Sequence, residues 1–224
     1  MNGLEQARGR AQLSGGVSHA AIYRMVRRSL AGCPPGGVVV DVGCGGGRLH
    51  DELAGLFDRY VGIDLVSYAG APTEVQRVLA DLERALPLAD GVADVAIAVE
   101  TIEHLENPRA LVRELARVAR PGGLVIVTTP NQLSALSLLS LIAKRQFAAF
   151  QDVHYPAHRT ALLETDLRRI VAEAGLADAQ VYFSEHSRVP LTALTYPRWI
   201  ARRSPALLSD NVLIAARKPH PTRH

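Results

Sequence analysis

The sequence predicts an α/β protein with a doubly wound, mainly parallel sheet, and three observations support this prediction. Short apolar runs typical of buried strands alternate with helix-spaced apolar residues over residues 38–131. A glycine-rich turn at residues 43–47 joins the first of these strands to a helical pattern, an order typical of nucleotide-type cofactor sites. Acidic residues stand at or just after the second, third and fourth strands, at Asp64, Asp81 and Glu100. Because strand–helix–strand connections are right-handed, such a chain builds a parallel sheet.

The length of 224 residues and the hydrophobic content of 48% fit one globular domain, residues 1–224. The N-terminus lacks the apolar core of a signal peptide, and the longest apolar-leaning run, residues 133–143, is too short to cross a bilayer. Two cysteines, Cys33 and Cys44, make no disulfide framework and are expected to be free thiols. These features predict a cytoplasmic protein without a transmembrane segment.

The net charge of +3 is unevenly distributed. Residues 1–30 carry five arginines and one acid, residues 188–224 carry seven basic residues and one acid, and the centre carries 13 basic and 20 acidic residues. Basic ends around an acidic centre suit an anionic substrate, a nucleic acid or a membrane surface, and they equally suit solvated arginines. The aromatic content of 5% argues against a single-stranded nucleic acid surface built on stacking.

The first half of the chain predicts an N-terminal helical segment, residues 1–36, followed by strands and a second helix. Within that segment, residues 18–30 place apolar side chains on one face and arginines on the other. Two prolines and two glycines at residues 34–37 end it and begin the first strand. After the glycine turn, apolar residues at positions 49, 53, 56 and 57 predict a helix. Strands are expected at residues 38–41, 60–64, 75–79 and 92–99.

The second half begins with a well-signalled helix, capped by Asn107 with Pro108 in its first turn and stopped at residues 121–123. A fifth strand follows at residues 124–128. Residues 132–160 break the alternation with a leucine-rich helix and several aromatic and histidine residues, and we expect them to form a substrate lid over the strand ends. A helix at 161–174 and strands at 177–185 and 211–217 complete the domain. Between the last two strands lies an arginine-bearing insertion, residues 186–210, with Trp199.

The glycine turn narrows the class of cofactor. A dinucleotide site needs G-x-G-x-x-G, and Arg48 occupies the third glycine position. A phosphate loop needs a lysine that the turn lacks. Asp41 before the turn suits a cationic ligand better than a pyrophosphate. The run DVGCGGG, residues 41–47, resembles the first motif of class I S-adenosylmethionine (SAM) dependent methyltransferases.

Further motifs extend this resemblance over residues 37–131. LPLADG at 86–91 resembles a loop of the same family, and ETIEHLENPRALVRELARVARPGGLVIVTTPN at 100–131 resembles its ubiquinone-type and related small-molecule members. The resemblance implies a Rossmann-like, seven-stranded sheet whose last strand is antiparallel. It also implies a SAM site, with S-adenosylhomocysteine as product, at Asp41, Gly43, Gly45, Gly47, Asp64, Leu65, Asp81, Leu82 and Glu100. In that site the glycines approach the amino acid part, Asp64 the ribose, Asp81 and Leu82 the adenine, and Glu100 the methionyl arm.

The predicted reaction is methyl transfer to a small, partly hydrophobic acceptor, with O-methylation in biosynthesis or secondary metabolism expected first. An acceptor hydroxyl must lose a proton, and His104 follows the fourth strand at the ligand edge, so we expect it to be the base. His154 is the second catalytic candidate, and His158 is an alternative to it. Arginines at 188, 198, 202 and 203 permit a carboxylate or phosphate on the acceptor. The oligomeric state is left open.

Two other interpretations remain. Glu100, Glu103 and His104, with His154 or His158, resemble the metal site of small-RNA 3′-terminal 2′-O-methyltransferases, in which a divalent ion acts as a Lewis acid. Oxygen-rich sites prefer more carboxylates, so no metal ligand is assigned and a nucleic acid substrate is not expected. The other alternative is a SAM-binding partner subunit without catalysis.

Overall fold

The computed structural model describes residues 9, 16–68 and 72–221 and shows one seven-stranded sheet in the order β3-β2-β1-β4-β5-β7-β6. The strands are β1 Val38–Val42, β2 Arg59–Asp64, β3 Gln76–Leu79, β4 Ala93–Ala98, β5 Ala119–Pro130, β6 Ala177–Phe183 and β7 Asn211–Arg217. The first five strands pair in parallel, and β7 lies antiparallel between β5 and β6. The predicted fold class, including the antiparallel last strand, is confirmed.

Helices cover both faces of this sheet. They are α1 Ala20–Ser29, α2 Arg48–Glu52, α3 Pro108–Val118, α4 Ala135–Lys144, α5 Glu164–Glu173 and α6 Arg198–Ala201. Because side chains alternate along a strand, Val39 of β1 packs in the same cluster as α1, and Val40 packs in the cluster that contains residues of α3 and α5. Fully buried side chains contribute about 1.5–3 kcal/mol each, so the two-sided core carries most of the stability of the sheet.

Helix α1 confirms the amphipathic pattern. His19 precedes it, and the Nδ1 atom of His19 accepts a hydrogen bond from the backbone N–H of Ala21 at 3.2 Å. Met25 and Val26 are almost fully buried against the sheet, while Arg24 and Arg27 face outward. This leaves a row of guanidinium groups on the solvent side of the helix.

Two element boundaries differ from the prediction. Helix α2 ends at Glu52, because Leu53 and the residues after it form turns in which Gly55 has a φ of 76°. Strand β5 begins at Ala119, directly after α3, and pairs with Ala93 before a bulge shifts the register to Leu124.

Within residues 16–68 and 72–118, helices follow β1 and β4 only, so fewer strand–helix units are present than the sequence pattern indicates.

Residues 132–160 form α4 followed by two short 3-10 turns, Ala148–Phe150 and Asp152–His154. Ser134 caps α4 by accepting a hydrogen bond from the N–H of Ser137 at 3.2 Å. Ser137 is the buried residue of this helix, whereas Ile142 is 81% exposed. The leucine-rich helix therefore lies on the surface, and its role as a substrate lid stays a prediction.

Both cysteines are free thiols, as expected. Cys44 is buried in the glycine turn, and burial raises the pKa of its thiol to about 12. None of the described helices is long and apolar enough to cross a membrane.

Candidate active site

The glycine turn after β1 adopts a conformation that other residues rarely adopt. Gly43 and Gly45 have φ angles of 80° and 51°. A Cβ atom on Gly43 would overlap the hydroxyl of Thr101, and one on Gly45 would overlap the carbonyl of Gly16. The backbone of the turn is thus pressed between the segment before α1 and the segment after β4, and only glycine fits at these two positions.

Asp64 fastens this turn to the end of β2. Its Oδ2 atom accepts a hydrogen bond from the N–H of Gly45 at 2.8 Å, and its Oδ1 atom accepts one from Val66 at 3.2 Å. Each carboxylate oxygen has a second lone pair that can accept from a ligand hydroxyl. The prediction that Asp64 meets a ribose is therefore compatible with its contacts.

A cavity of about 410 Å³ opens beside the turn, within the usual range for small-molecule sites. It is lined by eight of the nine residues assigned to SAM: Asp41, Gly43, Gly45, Asp64, Leu65, Asp81, Leu82 and Glu100. Gly47 is not part of this wall. It is the residue before α2, with a φ of 83°, and a Cβ there would come within 2.9 Å of the Arg77 guanidinium and of Pro72. The structure therefore explains Gly47 by packing.

Asp41 lies beneath the turn and is almost entirely buried. The Tyr60 hydroxyl donates a hydrogen bond to its Oδ2 atom, while Oδ1 has no hydrogen-bond partner within the described part of the chain. Burial raises the pKa of Asp41 to about 7. A buried acceptor without a donor is costly, so this oxygen suits a ligand ammonium group.

Asp81 and Leu82 lie in the loop after β3. The Oδ1 atom of Asp81 accepts from the N–H of Glu83 at 3.0 Å, which fixes the carboxylate at the cavity wall. Arg84 is 3.3 Å from the other oxygen but is itself largely exposed. Both residues line the cavity, and their contact with an adenine stays a prediction.

The side chain of Glu100 is held by hydrogen bonds from residues of β5 and β7. Its backbone is in the left-handed region with a φ of 48°, an uncommon conformation for a residue other than glycine. Its carboxylate accepts hydrogen bonds from the Thr128 hydroxyl at 2.9 Å and from the Asn211 amide at 2.7 Å. Burial raises the pKa of Glu100 to about 7. Asn211 also lines the cavity, and no pattern in the sequence singles it out.

Three histidines gather after β4 and in the segment 132–160. The Nδ1 atom of His104 lies 2.9 Å from the carbonyl of Ala157, and that of His158 lies 2.6 Å from the carbonyl of Ala149. Both rings line the cavity. His154 does not line it but stacks on His158 with ring centroids 5.5 Å apart. Of these two histidines, His158 reaches the cavity and His154 does not, and the catalytic role of His154 stays a prediction.

Glu103 completes this group. Its side chain is fully buried, and neither carboxylate oxygen has a hydrogen-bond partner among the described residues. Burial, with the nearby Glu100 charge, raises its pKa well above the usual range. Ligand atoms of Glu103, His104 and His158 lie within 4.8 Å of one another and could hold a cation. The prediction that no metal is bound stays a prediction.

The segment before α1 and the first turn of α1 also line the cavity, although the sequence assigns no site residue to them. Gly16, His19, Ile22 and Tyr23 face the same space as Asp41. The carbonyl of Gly16 accepts a hydrogen bond from the N–H of Gly46 at 3.0 Å. The sequence alone does not identify this contact, because it joins two segments that are distant along the chain.

Comparison with known proteins gives consistent results. A family model described as a methyltransferase domain matches residues 17–181. Ubiquinone biosynthesis O-methyltransferase from Burkholderia pseudomallei (strain 1710b) is 30% identical over 158 residues, covering 66% of this chain and 67% of that protein. The enzyme of the same name from Thiobacillus denitrificans is 30% identical over 193 residues, covering 80% and 78%. A SAM-dependent methyltransferase from Archaeoglobus fulgidus has a similar structure, with a TM-score of 0.64 at 18% identity over 92% of this chain and 96% of that one.

Proposed function

The chain belongs to the class I SAM-dependent methyltransferases, and on this premise we propose that it O-methylates a small, partly hydrophobic molecule. The observation that carries the proposal is the placement of His104 on the wall of the cofactor cavity with its Nδ1 atom fixed to a carbonyl. Because the family is one of enzymes, the alternative of a non-catalytic SAM-binding subunit is set aside.

The cofactor is SAM, and the cavity residues fit its chemistry. The unpartnered Oδ1 atom of Asp41 would accept from the ammonium group, and Asp64 would accept from the ribose hydroxyls. The missing side chains of Gly43 and Gly45 let the turn pack closely against Thr101 and Gly16, and its backbone lines the cavity where it would meet the amino acid part. Bound there, SAM supplies a methyl group on a sulfonium, which is already activated for transfer.

His104 supplies the base in this proposal. A carbonyl oxygen only accepts hydrogen bonds, so the contact with Ala157 places the ring proton on Nδ1 and leaves a lone pair on Nε2. Burial lowers the pKa of His104, which keeps the ring neutral at neutral pH. A neutral imidazole can remove the proton of an acceptor hydroxyl, while the cavity aligns that oxygen with the methyl group.

Two observations support the proposed class of acceptor: the aromatic surface near the cavity and the names of the similar proteins. Phe150 packs against His158 with ring centroids 5.4 Å apart, which supplies an apolar surface behind the histidines. The relatives that are 30% identical are named for O-methylation in ubiquinone biosynthesis, which supports an oxygen acceptor on a small molecule. The two free thiols favour a reducing compartment, and we propose the cytoplasm as its location.

A screen of candidate acceptors with methyl-labelled SAM tests this function directly. Phenols, catechols, aliphatic alcohols and amines of similar size are incubated with the wild-type protein and with the variant His104→Gln. We expect label to enter a phenol or catechol, with much slower transfer in the variant. Transfer to amines alone, at equal rates in the two proteins, would contradict the proposal.

A second candidate function is favoured by one observation, the fully buried Glu103 with two unpartnered oxygens beside His104 and His158. A divalent cation held by these three residues would act as a Lewis acid on an acceptor with adjacent oxygens, such as a catechol or the terminal hydroxyls of an RNA. Glu100 would not join this set as it stands, because Thr128 and Asn211 occupy its carboxylate. Activity that disappears with a chelator and returns with Mg²⁺ or Mn²⁺ would favour this candidate.

A further inference from the structure

A second cavity, of about 560 Å³, lies between α1 and the insertion at residues 186–210. Arginines from both parts of the chain line it: Arg24, Arg27 and Arg28 from α1, and Arg198 from α6. These two regions carry the basic ends that the sequence shows, and the fold brings them together. The cofactor cavity and its proposed chemistry use none of these arginines.

Glu185 lies at the centre of this group. Arg28 donates a hydrogen bond to its Oε1 atom, while Arg198 and Arg202 donate to its Oε2 atom at 3.2 and 3.0 Å. One carboxylate, only 13% exposed, thus serves three guanidinium groups. Glu185 also has a left-handed backbone with a φ of 52°, a strained conformation that the surrounding contacts hold in place.

The remaining charges leave the cavity positive. Arg27 donates a hydrogen bond to the backbone carbonyl of Glu52. Because a carbonyl carries no net charge, this bond does not neutralise the positive charge of Arg27. Arg24 is exposed on the same helix. Burial and His19 lower the pKa of His186 on the opposite wall, Asp210 opposes this shift, and Arg24 adds to it. Among the described residues that line the cavity, Glu52 and Glu185 are the acids. Four arginines and two carboxylates line the cavity, and Arg202 adds a fifth guanidinium group beside Glu185, so the local field attracts anions.

This cavity shares a wall with the cofactor cavity. His19 lines the cofactor cavity and His186 lines the arginine-rich one, and the two rings stack with centroids 4.1 Å apart. A ligand in the second cavity would therefore lie next to the segment, residues 16–19, that lines the first cavity.

We propose that the arginine cradle, formed by Arg24, Arg27, Arg28, Arg198 and Arg202 around Glu185, binds an anion of the phosphate class. Guanidinium groups bind phosphate oxygens through paired, charge-assisted hydrogen bonds, and a tetrahedral dianion can accept from several of them at once. The carboxylate of Glu185 keeps three of the guanidinium groups close together, while its negative charge opposes the entry of an anion. This site extends beyond methyl transfer and does not depend on it.

The only tryptophan of the chain, Trp199, gives a direct test. It is 70% exposed and adjoins Arg198, so its fluorescence should report ligands in the cradle. We expect inorganic phosphate and pyrophosphate to change the emission saturably, with pyrophosphate binding more tightly. The exposed arginines allow the double variant Arg24→Ala/Arg198→Ala, which should weaken binding about tenfold or more per arginine. Arg113→Ala, on the exposed face of α3, is the matched control and should bind as the wild type does.

Two additions make the test decisive. The variant Glu185→Gln removes the central negative charge and should strengthen pyrophosphate binding, whereas Glu74→Gln, at an exposed site, should not. Vesicles of phosphatidylglycerol, compared with vesicles of phosphatidylcholine, distinguish a lipid headgroup from a free phosphate as the source of the anion. If the wild type binds a free phosphate or the phosphatidylglycerol vesicles and the double variant does not, the result supports the arginine cradle. Absence of binding to all of these probes, or equal binding by the double variant and Arg113→Ala, would overturn it, whatever the outcome of the methyl-transfer screen.

Discussion

The rings of His104 and His158 meet edge to face, with their centroids 4.8 Å apart, on the wall of the cavity proposed to hold SAM. The Nδ1 atom of His104 is hydrogen-bonded to the carbonyl of Ala157, and that of His158 to the carbonyl of Ala149. Both carbonyls belong to the segment 132–160. Both Nε2 atoms are therefore free of these contacts. Because burial lowers the pKa of both rings, that of His158 to about 4, the pair is neutral at physiological pH. This arrangement gives the site a neutral proton acceptor.

Replacing the proposed base should slow transfer without affecting cofactor binding. For His104→Gln we expect kcat to fall by about 10²–10⁴, the usual contribution of a general base. SAM affinity, measured by calorimetry, should be unchanged. The matched variant His154→Gln should keep most of its activity, because His154 lies behind His158. Equal losses in the two variants would contradict the assignment of His104.

Experiments on the cluster of Glu103, His104 and His158 can distinguish the base mechanism from the metal-assisted mechanism. The base mechanism predicts that exhaustive dialysis against a chelator leaves the transfer rate unchanged. It also predicts that Glu103→Gln, which matches the side chain in size and carries no charge, remains active. Metal content by mass spectrometry and rates before and after dialysis check both points. A rate that falls in both experiments, and that Mn²⁺ restores only in the wild type, would favour the metal candidate instead.

Because of Asp41, the free energy of unfolding of the ligand-free protein should fall as the pH rises. Burial raises its pKa to about 7, against opposing contributions from the Tyr60 hydrogen bond and Arg77, while the unfolded chain has the ordinary value of about 3.9. Between these two values the folded protein binds a proton that the unfolded chain does not, so stability falls from about pH 4 to about pH 7 and then levels off. The loss is on the order of 4 kcal/mol.

Denaturant titrations of the wild type and of Asp41→Asn over this range measure the effect. The amide is neutral at every pH and can still accept from Tyr60, so the stability of Asp41→Asn should depend less on pH than that of the wild type. The pKa of Glu100 is also raised to about 7, so Glu100 contributes to the slope in both proteins, and the difference between the two proteins isolates Asp41. Parallel curves would show that the carboxyl of Asp41 does not titrate in this window.

The glycine turn can be tested with a pair of alanine substitutions. Gly45 and Gly55 both have positive φ angles, so alanine costs about 1–2 kcal/mol at each. A Cβ on Gly45 also overlaps the Gly16 carbonyl, whereas one on Gly55 meets nothing within 4 Å. Gly45→Ala should therefore lose a further ~1–3 kcal/mol from overpacking, together with SAM binding. Gly55→Ala should bind SAM normally. Equal losses of stability would show that the Gly16 contact is unimportant.

The parts of the site that the sequence predicts are those set by local chain geometry. A buried strand followed by glycines places Gly43 and Gly45 at the sheet edge, and an acid at the end of the next strand places Asp64 beside them. The capped start of α3 at Asn107 is equally local. These features depend on a few consecutive residues, so pattern and spacing are sufficient to locate them.

The parts that the sequence does not predict depend on contacts between distant segments. Asn211 binds Glu100 across 111 positions of the chain, and Gly16 meets the glycine turn only after the chain folds back over β1. The choice of His158 over His154 depends on a turn, Asp152–His154, whose orientation is set by packing rather than by periodicity. Strand β5 begins before the expected glycines because pairing with β4 outweighs the local turn preference.

The most direct test of the account is the binding of SAM to Asp64→Ala by isothermal titration calorimetry. Asp64 connects the end of β2 with the glycine turn through its hydrogen bond from Gly45, and the proposed cofactor site depends on both. The control Asp51→Ala removes an exposed carboxylate from α2 and should bind SAM as the wild type does. The account predicts no measurable SAM binding by a folded Asp64→Ala variant. Binding with the affinity of the wild type would contradict the assignment of this cavity as the SAM site.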